Sequence, residues 1–399
     1  MKIIYYKIRA VLVTLLLRML PRNPPIIFKG ADSSIALCEQ LAVLGYQKAL
    51  LVTDNFLHTS GLLNGITEKL DSLGVAYAIY DGVLPDPAFD QVQAGEKLLT
   101  NERCDCVVAV GGGSVIDAAK MISMLHTNPG DLNSFDGIQP CKYPGLVLFA
   151  VPTTAGTGAE ITGVAVVTDP ATHNKIPVPD TKMIPGYIAL DAKIMQGMPP
   201  SITAATGMDA LTHAVESYLS KASNAQTEVH AKTAVKLIFE HLPTAFNQGD
   251  NLIARDAMAM AAFYAGSAFG KTSVGYVHGI AHQLGRVCGT PHGNANAMVL
   301  PEVLAAYGAC VQPKLAALAK LVGLGSDTDS DAVRAKQFIS SIIDLRASMN
   351  MPLQPQGLQR SAIPEIVTAA LAEAGSLYPV PRYMARAEVR AIVEPLLAG

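Results

Sequence analysis

The stretch DCVVAVGGGSVIDAAKMISM, residues 105–124, runs from a continuous apolar segment into three glycines and then into a helical pattern. Asp105 to Val110 lacks polar alternation, which suits a strand covered on both faces. Gly111, Gly112, Gly113 and Ser114 stop that strand, and Val115 to Met124 reads as the helix that follows. The same grammar recurs on either side. Lys48 to Asp54 (KALLVTD), Ala76 to Tyr80, Leu146 to Val151 (LVLFAV) and Ile184 to Asp191 read as further strands. Helical stretches such as Ser60 to Leu73 and Ala88 to Leu99 lie between them. Alternation of this kind predicts a parallel, doubly wound sheet over about 25–195.

Beyond Gly197-Met198-Pro199-Pro200-Ser201 the pattern changes. Proline cannot donate to a strand ladder, and Ser201 is a candidate helix cap. From there the chain reads as helices: 201–219, 225–241, 252–269, 275–284, 293–306 and 313–322, with two or three more to the end. The expected organisation is a basic apolar segment at 1–24, an α/β domain at 25–198 and an all-helical domain at 199–399.

The helical half carries Asp209 and His213 four apart, His278 and His282 four apart, and His292 in a Pro-His-Gly turn. Residues at i and i+4 share one helix face. One carboxylate and three imidazoles are a sufficient ligand set for a divalent cation. These polar groups stand among small apolar residues, where burial without partners is costly. Asp209, His213, His278 and His292 are the expected metal ligands. His282 is left to relay a proton or to lie against a cofactor, although spacing alone does not settle which histidine is spared.

In the α/β half, Gly112, Gly113 and Ser114 open a helix whose free N–H groups and dipole favour a phosphate. Ile116 stands where a GxGxxG fingerprint needs glycine, and no GK[ST] follows, so a plain tight turn fits this loop alone as well. Thr153, Thr154 and Thr157 lie in a second loop after a strand. Asp54 ends the first strand, where a carboxylate can accept from a ribose diol and repel a 2′-phosphate; a solvated strand-end Asp is the plainer alternative. Ligands of open α/β sheets bind at that edge, so the three features reinforce one another.

Bulk properties narrow the field. The chain has 399 residues, half of them hydrophobic, with Lys+Arg 30 against Asp+Glu 33 and no Trp. No basic stripe or stacking platform argues for nucleic acid. The six cysteines form no CxxC pair and are expected to be reduced and buried in a cytoplasmic protein. Cys104 and Cys106 would share one face if both lay on a strand. The N-terminal segment carries Lys2, Lys7, Arg9, Arg18 and Arg22, and its longest uncharged apolar run, Ala10 to Leu17, is too short to span a bilayer. It reads as a helix packed on its own protein. A membrane-surface, partner-binding or targeting segment is the alternative.

Four motifs together resemble the iron-containing (group III) alcohol dehydrogenase family: GGGSVIDAAK (111–120), PTTAGTGAE (152–160), GMPPSITAATGMDALTHAVESY (197–218), and GYVHGIAHQLG with PHG (275–285, 291–293). The resemblance runs from about Pro25 to about Ala297 and less sharply to the end. It implies a Rossmann-like N-terminal domain and a helical C-terminal domain in a dehydroquinate synthase-like architecture, with the active site in the cleft between. It further implies NAD as cofactor and Asp209, His213, His278 and His292 as ligands of Fe(II), or zinc in some members. His282 would stand beside the nicotinamide. GGGS with Asp117 would form the pyrophosphate and ribose site, and Thr153, Thr154, Thr157 and Thr162 would line the cofactor cleft. Lys175 would lie near the nicotinamide ribose, and Asp54 would favour NAD over NADP. The substrate would be a small-molecule alcohol or aldehyde whose identity the sequence does not fix, and the protein a homodimer with no transmembrane segment.

The chain also departs from the family pattern. Asp86-Pro87 stands where Asn-Pro is common, Gly270-Lys271-Thr272 where Asn often follows Ala-Phe, and Tyr378-Pro379-Val380-Pro381-Arg382 near a usual Asn-Pro-Arg. Lys271 is expected to face solvent, the alternative being a contact to an acidic substrate. The rival activities are a hydroxyacid–oxoacid transhydrogenase and a dehydroquinate synthase-type lyase. A non-enzymatic nucleotide- or metal-binding protein is the third.

Overall fold

The structure, a computed structural model, describes residues 24–135, 137–170 and 175–397. The basic segment at 1–24 lies outside the described residues up to residue 23. The remainder divides after Met198 into two compact units.

The first unit holds a six-stranded parallel sheet. Its strands are β1 (Ile26–Lys29), β2 (Lys48–Val52), β3 (Ala76–Tyr80), β4 (Cys106–Gly111), β5 (Leu148–Pro152) and β8 (Tyr187–Leu190), in the order β1-β8-β5-β4-β2-β3. Helices α1 (Ser33–Val43), α2 (Asn55–Thr59), α3 (Asn64–Ser72), α4 (Phe89–Glu102) and α5 (Gly113–Thr127) connect them. Side chains alternate between the faces with period two. Leu50, Val52, Val107 and Ala109 pack with Ile116 and Ile122 of α5. Ala49, Leu51, Cys106, Val108 and Val110 pack on the other face with Leu37, Leu41, Ile66 and Leu70 of α1 and α3. Burying a Val, Leu or Ile side chain contributes roughly 1.5–3 kcal/mol, so runs that are apolar at every position suit central, two-sided strands.

The strand order reverses between β2 and β4, because β3 lies outside β2 while β4 and β5 extend the sheet the other way. Ligands in open α/β sheets bind outside the carboxyl ends of the strands at such a switch point. Asp54 follows β2 there, and the triple glycine ends β4.

Several details differ from expectation. Strand β1 was hidden by its brevity and exposure: Ile26 and Ile27 are edge residues 52% and 41% exposed. A separate antiparallel pair, β6 (Val164–Thr168) and β7 (Lys175–Pro179), escapes a sequence reading because Pro177 and Pro179 sit within β7, and proline argues against a strand except at an edge. The helix expected over 60–73 is the shorter α3, starting at Asn64 after a turn with Gly61 at φ +79°, and the short α2 before it was not expected. Cys104 precedes β4, so it does not share a face with Cys106: the two thiols enter opposite cores. No cysteine is paired; Cys310 is exposed, and Cys288 is only half-buried.

The second unit is helical. Its long elements are α6 (Pro200–Leu219), α7 (Ala225–Asn247), α8 (Leu252–Thr272), α9 (Tyr276–Cys288) and α10 (His292–Tyr307), followed by α11 (Gln312–Leu321), α12 (Asp331–Ser348), α13 (Ile363–Leu377) and α14 (Arg386–Val393). Helix α7 continues through Pro243 and α10 contains Pro301. Packing of their apolar faces therefore outweighs the lost N–H at each proline. Among the described residues no strand follows Leu190, and no helix is long and apolar enough to cross a membrane.

Candidate metal centre and nucleotide loops

Helix α6 presents Asp209 and His213 from adjacent turns, both buried. Helix α9 adds His278, and α10 adds His292 as its first residue after the Pro291 cap. A backbone approach fixes the last of these: a Cβ on Gly293 would lie 2.0 Å from the Ala205 carbonyl oxygen, so only glycine lets α10 sit this close to α6. The ligand atoms of the four residues lie within 4.8 Å of one another. Asp209 Oδ1 stands 3.8 Å from His213 Nε2, 3.8 Å from His278 Nε2 and 3.4 Å from His292 Nε2. Ligands held at about 2.0–2.2 Å from one tetrahedral ion are separated by roughly 3.3–3.6 Å, so these spacings fit a shared cation with little adjustment.

The surroundings complete the fit. Glu216, one turn beyond His213, faces His278 Nδ1 at 2.6 Å and accepts from the Gly275 and Val277 amides. It thereby caps the N-terminus of α9 and fixes its first histidine. With Nδ1–H given to Glu216, the Nε2 of His278 carries the lone pair that a cation needs. Burial, then the neighbouring imidazoles His213, His292 and His282, hold His278 well below its ordinary range and therefore neutral. Burial pushes Glu216 up to about 8, against the pull of the Val277 and Gly275 amides. The fully buried Asn296 donates to Asp209 Oδ1 at 2.7 Å, while its own Oδ1 has no hydrogen-bond partner among the described residues. His213 stacks on Phe269 at 4.1 Å and on His278 at 4.6 Å. The donor set of one carboxylate and three imidazoles suits a first-row divalent ion such as iron or zinc.

His282 stands one ring away. It stacks on His292 at 5.3 Å and meets His278 edge-on at 5.8 Å. Its Nδ1 faces Glu373 of α13 at 2.6 Å. Glu216 and Asn296 were legible in principle, seven residues after Asp209 and four after His292 and so on the same helix faces. Glu373 carried no such signal, because nothing in the sequence pairs α13 with α9.

In the sheet unit the loops at the strand ends interlock. Thr53 Oγ1 donates to the Val110 carbonyl and the Thr153 amide to that of Gly111. A Cβ on Gly113 would lie 2.8 Å from Thr157, and one on Gly112 would touch Thr154 at 3.4 Å, so the two expected phosphate-side loops adjoin. Asp54 lies beyond β2 and caps α2, its Oδ1 accepting from the Leu57 amide. Asp117 and Thr162 turn inward instead. Asp117 Oδ2 accepts from the Val166 amide, and the buried ammonium of Lys120 lies 3.5 Å from both side chains and donates to the Val164 carbonyl at 2.6 Å. Lys175 reaches Asp86 at 2.7 Å, and the Asp86 amide donates to Ser114 Oγ. Lys271 donates to Gln226 on the exposed side of the helices.

Residues 24–192 match the family described as iron-containing alcohol dehydrogenase, and residues 203–397 match the C-terminal domain of the Fe-containing alcohol dehydrogenase family. The chain belongs to the iron-containing alcohol dehydrogenase family. It is 38% identical over 331 residues to an NAD-dependent methanol dehydrogenase of Bacillus methanolicus, covering 82% of this chain and 86% of the relative. It is 37% identical over 346 residues to the lactaldehyde reductase of Escherichia coli K12, covering 86% and 90%. A solved 1,3-propanediol oxidoreductase superposes with a TM-score of 0.91 at 37% identity, over 95% of this chain and all of the other. As a member of this family the protein is an NAD-dependent alcohol dehydrogenase, interconverting an alcohol with an aldehyde or ketone. That activity takes precedence over the lyase, transhydrogenase and non-enzymatic readings.

Proposed function

We propose that this dehydrogenase acts on a small primary alcohol or diol and its aldehyde, with Asp209, His213, His278 and His292 holding Fe(II), zinc being the second choice. The observation that carries the reading is the convergence of one carboxylate and three imidazoles within 4.8 Å, with Asp209, His213 and His278 buried and the His292 side chain exposed. A bound cation supplies Lewis-acid polarisation of the alcohol oxygen. The chain's own residues do the rest. Glu216 and Asn296 orient the ligands His278 and Asp209. His282 takes up the hydroxyl proton as the carbinol hydride passes to NAD+ and the carbonyl product forms.

In the sheet unit, Gly112, Gly113 and Ser114 offer amides and a helix N-terminus to the pyrophosphate. Thr153, Thr154 and Thr157 line the adjoining loop, and Asp54 keeps one carboxylate oxygen for a ribose diol, favouring NAD over NADP. Asp117 and Thr162 act through the Lys120 network that ties α5 to β6. Lys175 serves the cofactor once released from Asp86. The compact substrate class is supported by the methanol, lactaldehyde and propanediol named for the relatives. On the habit of the family and its unpaired cysteines, we read the protein as a cytoplasmic homodimer, which cell fractionation and light scattering test.

The direct experiment follows NADH absorbance with iron- or zinc-reconstituted protein over a panel of alcohols and aldehydes. Turnover of C1–C4 alcohols, abolished together with metal retention in His278→Ala, supports the proposal. A variant that retains metal and full activity overturns the ligand assignment, and turnover confined to bulky or acidic alcohols overturns the substrate class.

A further inference from the structure

Glu373 is the residue of the helical unit whose hydrogen bonds converge most closely on the histidine spared from the metal cluster. Its Oε1 lies 2.6 Å from His282 Nδ1 and accepts from the Tyr378 hydroxyl at 2.5 Å, and its Oε2 accepts from Gln283 Nε2 at 3.0 Å. Three donors from two elements thus hold one partly buried carboxylate. Burial raises the Glu373 carboxyl, and the donors His282, Tyr378 and Gln283 outweigh it, leaving the group below its ordinary range and ionised. An ionised carboxylate only accepts, so the form of His282 with a single ring hydrogen carries it on Nδ1. The other nitrogen, Nε2, then carries a lone pair, and among the described residues it makes no hydrogen bond. The ring is held parallel to His292, 18° between planes.

We propose that Glu373 is a positioning residue: it fixes His282 as the Nδ1–H tautomer and in one ring orientation, so that Nε2 is the atom that receives the substrate proton. The inference rests on the reading above, in which His282 takes that proton. Tyr378 and Gln283 keep the carboxylate from rotating away, which makes the arrangement three-sided rather than a single contact. Carboxylate partners that orient a metal-ligating imidazole are typically worth about 10- to 100-fold in affinity or activity, and the same orienting geometry is present at His282.

The test uses zinc-loaded, full-length protein, because zinc is diamagnetic. Nitrogen-15 spectra of labelled histidine, with the His282 signal assigned by its loss in His282→Ala, report the tautomer directly. The expected result is an Nδ1–H tautomer in the wild type, lost in Glu373→Ala and kept in Glu373→Gln, whose amide oxygen still accepts. In turnover, Glu373→Ala should lower kcat about 10- to 100-fold with KM and bound metal unchanged, and Glu373→Gln should recover most of it. On a His282→Ala background, Glu373→Ala should cost nothing further, since residues acting as one unit are non-additive. A wild-type Nε2–H tautomer overturns the proposal, as does an unchanged kcat in Glu373→Ala or a loss that adds in full to His282→Ala. If the tautomer is as expected but the wild type oxidises no alcohol, the functional reading fails and the placement of Glu373 stands.

Discussion

Glu216 faces His278 Nδ1 at 2.6 Å while accepting the amides of Gly275 and Val277, so one side chain both starts helix α9 and aims the first histidine on it. Its removal therefore has two separable consequences. Glu216→Ala leaves two amides without their acceptor inside the protein, each such loss costing about 1–3 kcal/mol. It also frees the His278 ring to rotate. The expected outcome is a lower denaturant midpoint together with a 10- to 100-fold weaker hold on metal, read by competition with a chelator. Undiminished metal affinity in a folded variant would separate Glu216 from the metal centre.

Asn296 makes a narrower prediction. Its amide donates to Asp209 Oδ1 and lies 3.2 Å from His292 Nε2, fully buried. Asn296→Ala removes a donor without unpinning a helix end. Metal affinity should fall about tenfold or more while thermal stability of the metal-free protein changes little. Metal titration with calorimetry on both proteins gives the comparison.

How much of this was legible in the sequence depended on whether the signal was local. Strands β2, β4, β5 and β8 were marked by apolar runs because a central parallel strand is buried on both faces, and the half-buried edge strand β3 by its run of alanine, isoleucine and tyrosine. Edge strand β1 and the proline-bearing β7 carry no such run. Asp209 with His213, and His278 with His282, stood out because helical spacing repeats every three to four residues, and His292 stood out in its Pro-His-Gly turn. Glu373 reaches His282 from ninety-one residues away, and Asp86 reaches Lys175 from eighty-nine. Such pairings are set by how helices and loops pack, which no spacing rule encodes. Asp117 entered through the family resemblance alone, and no spacing rule pairs it with Val166 and Lys120, which engage its carboxylate.

Asp86 lends itself to a cofactor test. It adopts φ +57° before Pro87, its amide donates to Ser114 Oγ at the start of α5, and its carboxylate holds Lys175. Both members of the ion pair are exposed, 60% and 44%, so the pair contributes at most about 1 kcal/mol to stability. Asparagine tolerates the left-handed conformation. Asp86→Asn should therefore fold normally, release Lys175 and remove a negative charge from a helix N-terminus that favours anions. NADH affinity should rise several-fold at low salt, and the gain should shrink at high salt as screening grows. Weaker binding in Asp86→Asn would instead make the carboxylate itself a cofactor contact.

Glu160 sets a pH dependence that belongs to the sheet unit alone. Burial pushes its carboxyl up to about 7 from an ordinary 4.5, opposed by a backbone amide and by Lys120. In the folded protein it keeps its proton up to about pH 7, whereas the unfolded chain releases it near 4.5. Between those values the folded state binds more protons, so stability falls as pH rises, and the loss is complete above about 7. At ~1.36 kcal/mol per pKa unit this amounts to ~3 kcal/mol. Glu160→Gln should match the wild type in urea denaturation at pH 5 and exceed it at pH 8. Equal stability differences at the two pH values would show that Glu160 titrates normally in the fold.

Lys120 bears the opposite sign of burial. Its ammonium is fully enclosed, donates to the Val164 carbonyl at 2.6 Å and stands 3.5 Å from Asp117, whose other oxygen holds the Val166 amide. Burial lowers the lysine and raises the aspartate, each partly compensated by the other. Deleting one member of such a pair leaves an uncompensated buried charge, at a cost of about 3–5 kcal/mol, whereas deleting both costs far less. Lys120→Met should accordingly lower unfolding stability by about that amount and loosen β6 against α5. The double variant Lys120→Met/Asp117→Asn should recover a large part of the loss, because asparagine still accepts the Val166 amide through its oxygen. Urea unfolding of the three proteins closes the cycle. A double variant as unstable as the sum of its parts would mean that Lys120 acts through packing of its stem and its bond to Val164, independently of Asp117.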